Sequence, residues 1–291
     1  MASRDWAEPS VRTVQNAILR PCRQGEQRGL AQVSRVFTPD GEAVAEAAIT
    51  ARIGRLDLPC AAPDPAPLPV RRGCWLYGGI GFHHFGHALI FSTSRLWALD
   101  GLTRPPDGIL FLDRGAGAET RAGTTRNLAA ILALLGIDLP VVTVARDERV
   151  EELIVPDEGI STAPALFSGT EAYRRFIRSR LSGPAEGTPV RDLYLSRTAL
   201  GAFRPGLLFE DRIEAQLREE GYTILHPQDL PLAEQVRTYR GARRIVGVDG
   251  SALHLAAFAA PATARVAVLG RRPYFPERLA RQVTDLAGCA A

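Results

Sequence analysis

The sequence predicts an α/β fold in which parallel sheets are covered by helices. Three observations predict it. Short apolar runs of strand length alternate with longer runs of helical periodicity from residue 73 onward. The joints between them are short and polar, as βαβ units require. Composition allows a packed core, with 46% hydrophobic and 23% charged residues. A chain of 291 residues suits two domains at the usual length of roughly 150 residues each.

Each element follows from its local pattern. Before residue 59, Arg28–Phe37 reads as a strand, and Gly41–Arg52 fits strand or helix. Residues 59–72, P-C-A-A-P-D-P-A-P-L-P-V-R-R, hold five prolines in eleven positions. That density forbids helix and favours an extended connector. Trp75–Tyr77 then reads as a short strand, Phe82–Leu99 as a helix, and Ile109–Leu112 as a strand. Thr124–Leu135 is a helix by the shared face of Leu128, Ile131, Leu132 and Leu135. Pro140–Ala145 and Glu152–Val155 are strand-like.

A second series starts near Gly169, with a basic amphipathic helix over Thr170–Leu181 and a loop at 182–189. Strands follow at Leu193–Leu195, Tyr222–Leu225, Ile245–Val248 and Arg265–Leu269. Helices follow at Phe209–Glu220, Leu232–Arg240, Ser251–Ala259 and Pro276–Leu286. The expected organisation is therefore an N-terminal segment 1–72 ending in the proline-rich linker, α/β domains at 73–168 and 169–275, and a closing helix and tail at 276–291. No internal repeat is visible.

Composition excludes several chemistries. The 35 basic residues are all arginine. Without lysine there is no Walker P-loop, no Schiff base and no lysine general base. Anions must be recognised by guanidinium or backbone N–H groups. A formal charge of +3, evenly mixed, gives no basic footprint for nucleic acid. Four cysteines without paired short spacing suggest neither a zinc site nor a disulfide frame, which fits a reduced compartment. The first residues lack a signal-peptide pattern, and no uncharged apolar stretch approaches the ~20 residues that span a bilayer. The expected location is cytoplasmic.

Four places carry candidate chemistry. At 243–259, R-R-I-V-G-V-D-G-S-A-L-H-L-A-A-F-A, a strand ends in Asp249-Gly250-Ser251 and a helix begins at once. Gly250 permits close approach of a ligand, Ser251 can cap the helix, and the first helical N–H groups point outward as an anion site. An ordinary strand-to-helix turn fits the same residues. At 193–214, Arg197 leaves the C-terminal end of a strand and Arg204 follows seven residues later. Two guanidinium groups there can clamp a diphosphate or remain solvated. His83, His84 and His87 form H-H-x-x-H without the glutamate of a zinc helix or a third ligand, so no metal is expected. His87 suits a core role or a base facing a ligand, and Asp113, closing its strand as L-D-R-G, is the rival base or a plain turn aspartate. His254 reads as a satisfied buried histidine. The arginine face 174, 175, 178 and 180 is a solvated helix surface or a contact for acidic lipid headgroups.

Residues 193–259 resemble the catalytic domain of glycosyltransferase family 61. The family runs from an apolar strand through S-R, a spaced arginine, N-E with a helix, and E-Q with a helix, to a strand and H-G-A-G-L. This chain presents Ser196-Arg197, Arg204, Glu210, Glu234-Gln235, Ile245-Val246-Gly247 and Asp249-Gly250-Ser251-Ala252-Leu253 in that order. Upstream, G-F-H-H-F-G-H-A-L-I-F-S-T-S-R-L-W at 81–97 is similar to the family's N-x-x-H-W-L-x-E-x-L-P-R-L helix, with His87, Arg95 and Leu96 on matching positions. The resemblance implies a GT-B arrangement of two Rossmann-like domains facing a cleft. It also implies a nucleotide-sugar donor on the C-terminal domain, a glycan or lipid-linked acceptor, no obligatory metal, and a role in cell-surface polysaccharide synthesis. Arg197, Arg204, Glu210, Asp249, Gly250, Ser251 and Ala252 would then hold the donor, with His87 or Asp113 as catalytic base.

Three departures stand against that pattern. Asp249 replaces a histidine, Phe209 replaces the asparagine before Glu210, and Phe91 replaces an acidic residue. A carboxylate beside a diphosphate repels it, which suggests ribose or sugar hydroxyls for Asp249. The same departures motivate the alternative of a nucleotide-sugar-binding or scaffold protein that has lost catalysis.

Overall fold

The computed structural model describes residues 9–26, 28, 30, 31, 33, 35–51, 54, 55, 58–64, 67–115, 117–181, 191–201, 206–273 and 275–291. Arg204 and the loop expected at 182–189 lie outside them. The chain divides into two compact units, Met1–Phe176 and Ile177–Ala291.

The first unit contains β1 (Val11–Arg20), β2 (Arg35–Phe37), the two-residue strands β3 (Thr50–Ala51) and β4 (Gly54–Arg55), and β5 (Val70–Ile80). It continues with α1 (Phe85–His87), β6 (Gly108–Leu112), α2 (Ala118–Leu134), β7 (Val141–Val144), β8 (Glu148–Pro156) and the start of α3 (Glu171–Leu181). Six strands form one sheet in the order β2-β1-β8-β5-β6-β7. Strands β5 to β8 pair in parallel, as the alternation predicts, but β1 and β2 join antiparallel and make the sheet mixed.

Residues before the proline-rich stretch thus supply two strands of this sheet, and β5 begins at its end. The pattern of β1 was not visible because Asn16, at φ 52°, interrupts its alternation, so that only Val14 and residues 17–20 are buried. Of the strand expected at Arg28–Phe37, the described residues form β2 and an isolated bridge between Arg28 and Ala31.

The helix expected over Phe82–Leu99 is instead three short turns. α1 passes into a π-helical turn at Ala88–Ser92, and a 3-10 helix follows at Leu96–Gly101. Side-chain hydroxyls compete with the helical ladder here. Ser92 Oγ donates to the Ile80 carbonyl, Thr93 Oγ1 to Leu89 and Ser94 Oγ to Phe91. The polar run S-T-S-R is therefore what breaks the helix.

The second unit contains β9 (Asp192–Leu195), α4 (Glu210–Glu219), β10 (Thr223–Leu225), α5 (Leu232–Arg240), β11 (Arg244–Val248), α6 (Ser251–Ala259), β12 (Arg265–Leu269) and α7 (Phe275–Ala287). Its four strands are all parallel, in the order β10-β9-β11-β12. This is a Rossmann-like α/β layer. Its strand order reverses between β9 and β11, and open sheets of this kind bind ligands outside the carboxyl ends at that point. α6 is apolar on all sides and buries every residue from Leu253 to Ala259. Each large apolar side chain so buried contributes roughly 1.5–3 kcal/mol. Among the described residues no helix is long and apolar enough to cross a membrane.

Candidate active site

The carboxyl ends of β9, β11 and β12 lie side by side, and each contributes charge. β9 ends in Ser196-Arg197. The backbone N–H of Arg197 donates to Glu210 Oε1 at 2.8 Å, and the Tyr194 hydroxyl donates to the same oxygen at 3.1 Å. Glu214, one turn further along α4, accepts from the hydroxyls of Ser196 and Thr198. Two carboxylates on one face of α4 therefore fix the turn that carries Arg197. Glu210 is buried and acts on the backbone of that turn; Glu214 was missed from sequence, although its i,i+4 spacing from Glu210 was the available signal.

β11 ends in Asp249-Gly250. Gly250 is the N-cap of α6, with extended backbone (φ 172°), and no side chain caps the helix. Ser251 is thus the first helical residue, not the cap expected of it. A β-carbon at Gly250 would lie 2.8 Å from Arg197 Nη1. The backbone there is unstrained, and a side chain at this position would have to displace the Arg197 guanidinium.

Asp249 has no exposure at all. Its Oδ2 accepts the backbone N–H groups of Arg271 and Arg272, each at 3.1 Å, and Oδ1 lies 3.0 Å from the Nε atoms of both guanidinium groups. Arg271 also donates through Nε to the Asp249 carbonyl at 2.9 Å. The carboxylate is thereby turned into the anchor of the loop after β12. Arg271 and Arg272 were missed from sequence; their signal was an R-R pair two positions beyond the last strand.

Three guanidinium groups converge at this edge against the carboxylates of Asp249 and Glu210, beside the positive end of α6. Burial and then the Arg271 charge push Arg197 below its ordinary value, while Glu210 and Asp249 oppose that shift. Burial and then Arg272 push Arg271 down as well. Such crowding of like charge is relieved by a bound anion.

Phe209, which precedes Glu210, is left-handed at φ 58° and ψ 33°. A bulky side chain there costs about 1–3 kcal/mol. Asparagine, expected at this position from the resemblance, enters that region far more readily. The departure is therefore a backbone cost as well as a change of chemistry. Gln235 on α5 holds the carbonyls of Pro227 and Leu230 at 2.6 and 3.0 Å, a structural tie. His254 Nδ1 lies 2.5 Å from Gln282 Oε1, a satisfied buried pair.

In the first unit, Gly79 has φ 99° at a bulge in β5, and its missing β-carbon leaves room for Arg95, whose Nη1 would be 3.1 Å away. Arg95 is wholly buried and donates to the carbonyls of Pro156, Glu46 and Ala48. His87 is half-buried, its ring 5.6 Å from Phe82, 4.6 Å from His84 and 5.9 Å from Phe91. Phe91 is buried core, with no exposure. Arg114 covers the Phe82 ring at 4.7 Å. The neighbouring Asp113 is buried; its carboxylate accepts from Arg114 N–H at 2.8 Å and pairs with Arg121 at 2.7 Å. Among the described residues no cluster of ligating side chains could hold a metal ion.

The family model Glycosyltransferase 61 matches residues 82–266, well over half of the chain. The chain belongs to glycosyltransferase family 61. No curated protein matches it. A glycosyltransferase requires a donor sugar and an acceptor, and the matched span contains His87, Asp113, Arg197, Glu210 and Asp249 to Ala252. Arg271 and Arg272 lie just beyond it.

Proposed function

We propose that this family 61 glycosyltransferase takes a sugar from a nucleoside-diphosphate donor bound at the carboxyl edge of the second sheet and passes it to a glycan or lipid-linked acceptor. The observation that carries this reading is the convergence of Arg197, Arg271 and Arg272 on the uncapped start of α6. On this reading the enzyme is of GT-B type, inverting and metal-independent, and works in cell-surface polysaccharide synthesis. The guanidinium groups take the place of a divalent cation in neutralising the leaving diphosphate.

In the transfer, the acceptor oxygen attacks the anomeric carbon as the bond from that carbon to the diphosphate oxygen breaks. The acceptor proton passes to His87, and the released negative charge is met by Arg197, Arg271 and the N–H groups of Ser251 and Ala252. Arg204, named by the sequence alone, is a further candidate for that clamp. His87 is preferred to Asp113 as base, because the Asp113 carboxylate is already engaged by the Arg121 guanidinium and the Arg114 N–H. Asp113 then orders the start of α2 through Arg121. Asp249 and Glu210 hold the donor loops in place and do not contact hydroxyl groups of the donor.

The test is a thermal-shift panel of nucleoside diphosphates in the presence of a chelator, followed by donor hydrolysis and transfer. Stabilisation by one nucleotide together with chelator-resistant turnover is expected. Binding without any turnover would assign the chain to the alternative of a degenerate nucleotide-sugar-binding protein, and no binding at all would overturn both.

A further inference from the structure

Among the described residues, four large hydrophobic side chains are exposed: Val11, Val70, Leu208 and Phe209. Only the last two are adjacent, at 82% and 57% exposure. They stand at the start of α4, on the edge where the guanidinium groups gather. A strained backbone and an exposed aromatic ring coincide at Phe209, and neither benefits the core. The strained conformation is held from the helix side. Glu210, the next residue, is locked by Arg197 N–H and the Tyr194 hydroxyl. The Phe209 carbonyl accepts the N–H of Arg212 at 3.1 Å, closing the first turn. One ring face is backed by Arg212, whose guanidinium carbon lies 4.9 Å from the ring centroid.

We propose that Phe209 is a stacking platform for the nucleobase of the donor, with Arg212 as its backing. A flat, exposed ring, held rigidly one residue from the carboxylate that fixes Arg197, suits the flat heterocycle attached to a diphosphate. Stacking on such a ring discriminates little between bases, since every base has a π face. This inference rests on the diphosphate site proposed above and deepens it by assigning the base end of the ligand.

The experiment is calorimetric titration of the full chain with UDP, GDP, ADP and CDP, and with inorganic pyrophosphate as a ligand without a base. The variants are Phe209→Asn, Phe209→Tyr and Arg197→Ala. Asparagine accepts the left-handed backbone, so Phe209→Asn removes the ring without disturbing the turn, and its melting temperature should not fall. It is expected to weaken the best nucleoside diphosphate by about 5- to 150-fold and to leave pyrophosphate binding unchanged. Phe209→Tyr should retain wild-type affinity, and Arg197→Ala should weaken nucleotide and pyrophosphate alike. Unchanged nucleotide affinity in Phe209→Asn would overturn the stacking role while leaving the diphosphate site standing. Equal losses for nucleotide and pyrophosphate in that variant would also overturn it, because the ring would then act on the phosphates. A wild-type protein that binds neither pyrophosphate nor any nucleotide would remove the diphosphate site and the stacking role together.

Discussion

Asp249 shows how one residue changes meaning between sequence and structure. In sequence it is a carboxylate where a diphosphate is expected, hence a source of repulsion. Buried and bonded to the main chain and side chains of Arg271 and Arg272, it instead brings cations to the edge. Removing the carboxylate leaves the Arg271 and Arg272 N–H donors without their acceptor while solvent screens the partly exposed guanidinium groups, so Asp249→Ala should lose about 1–3 kcal/mol of stability in denaturant melts. Gly250→Ala tests the neighbouring contact. Its extended backbone accepts any residue, so the fold should survive. The new β-carbon must push the Arg197 guanidinium aside, and nucleotide affinity should fall in calorimetry with little change in melting temperature. Arg197→Lys should also lose about tenfold in affinity, because a point charge cannot reproduce the planar fork. Neither the burial of Asp249 nor the nearness of Arg197 to Gly250 could be read from the sequence, since both depend on contacts between strands.

At the scale of elements, the second series was largely legible. α5, α6 and β12 have the bounds their periodicity predicts, and β9, β10, β11, α4 and α7 differ by a residue or two. Parallel strands buried on both faces leave continuous apolar runs, and amphipathic helices leave a 3.6-residue period, so local pattern and final structure agree. The stretch 82–99 failed for the opposite reason: its apolar residues have helical spacing, while Ser92, Thr93 and Ser94 bond to carbonyls and interrupt the ladder. The amino end of β9 also carries an electrostatic lock. Hydrogen bonds from Arg244, and then Arg243, hold Asp192 at about 2, below its ordinary range. A depressed carboxylate stabilises the fold above its unfolded pKa and loses that contribution as pH falls through the folded one. Stability should therefore decline from about pH 4 towards about pH 2. Asp192→Asn should melt earlier at neutral pH and show a shallower decline in that window. The basic face of α3 is partly spent in a similar way: Arg174 bonds Glu171 and the Gly169 carbonyl, and Arg178 bonds the carbonyls of Leu286 and Asp285. That leaves fewer of its cations for lipid headgroups.

For the whole molecule, the proposed base belongs to the first unit and the proposed diphosphate site to the second, and kinetics can test each by itself. His87→Ala in the first unit should reduce kcat by about 10²–10⁴ with nucleotide affinity unchanged, whereas Arg197→Ala in the second should lower that affinity. A His87→Ala enzyme with unaltered turnover would remove the histidine from the mechanism. What the sequence determined by itself was local or compositional: the alternation of strands and helices, the exclusion of lysine chemistry, and the turns that carry Arg197 and Gly250. Only the tertiary structure decided which of the 35 arginines act together. Strand order, and not distance along the chain, sets which carboxyl ends become neighbours. In the order β10-β9-β11-β12 the ends of β9, β11 and β12 meet, and Arg197, Arg271 and Arg272 come to share one edge.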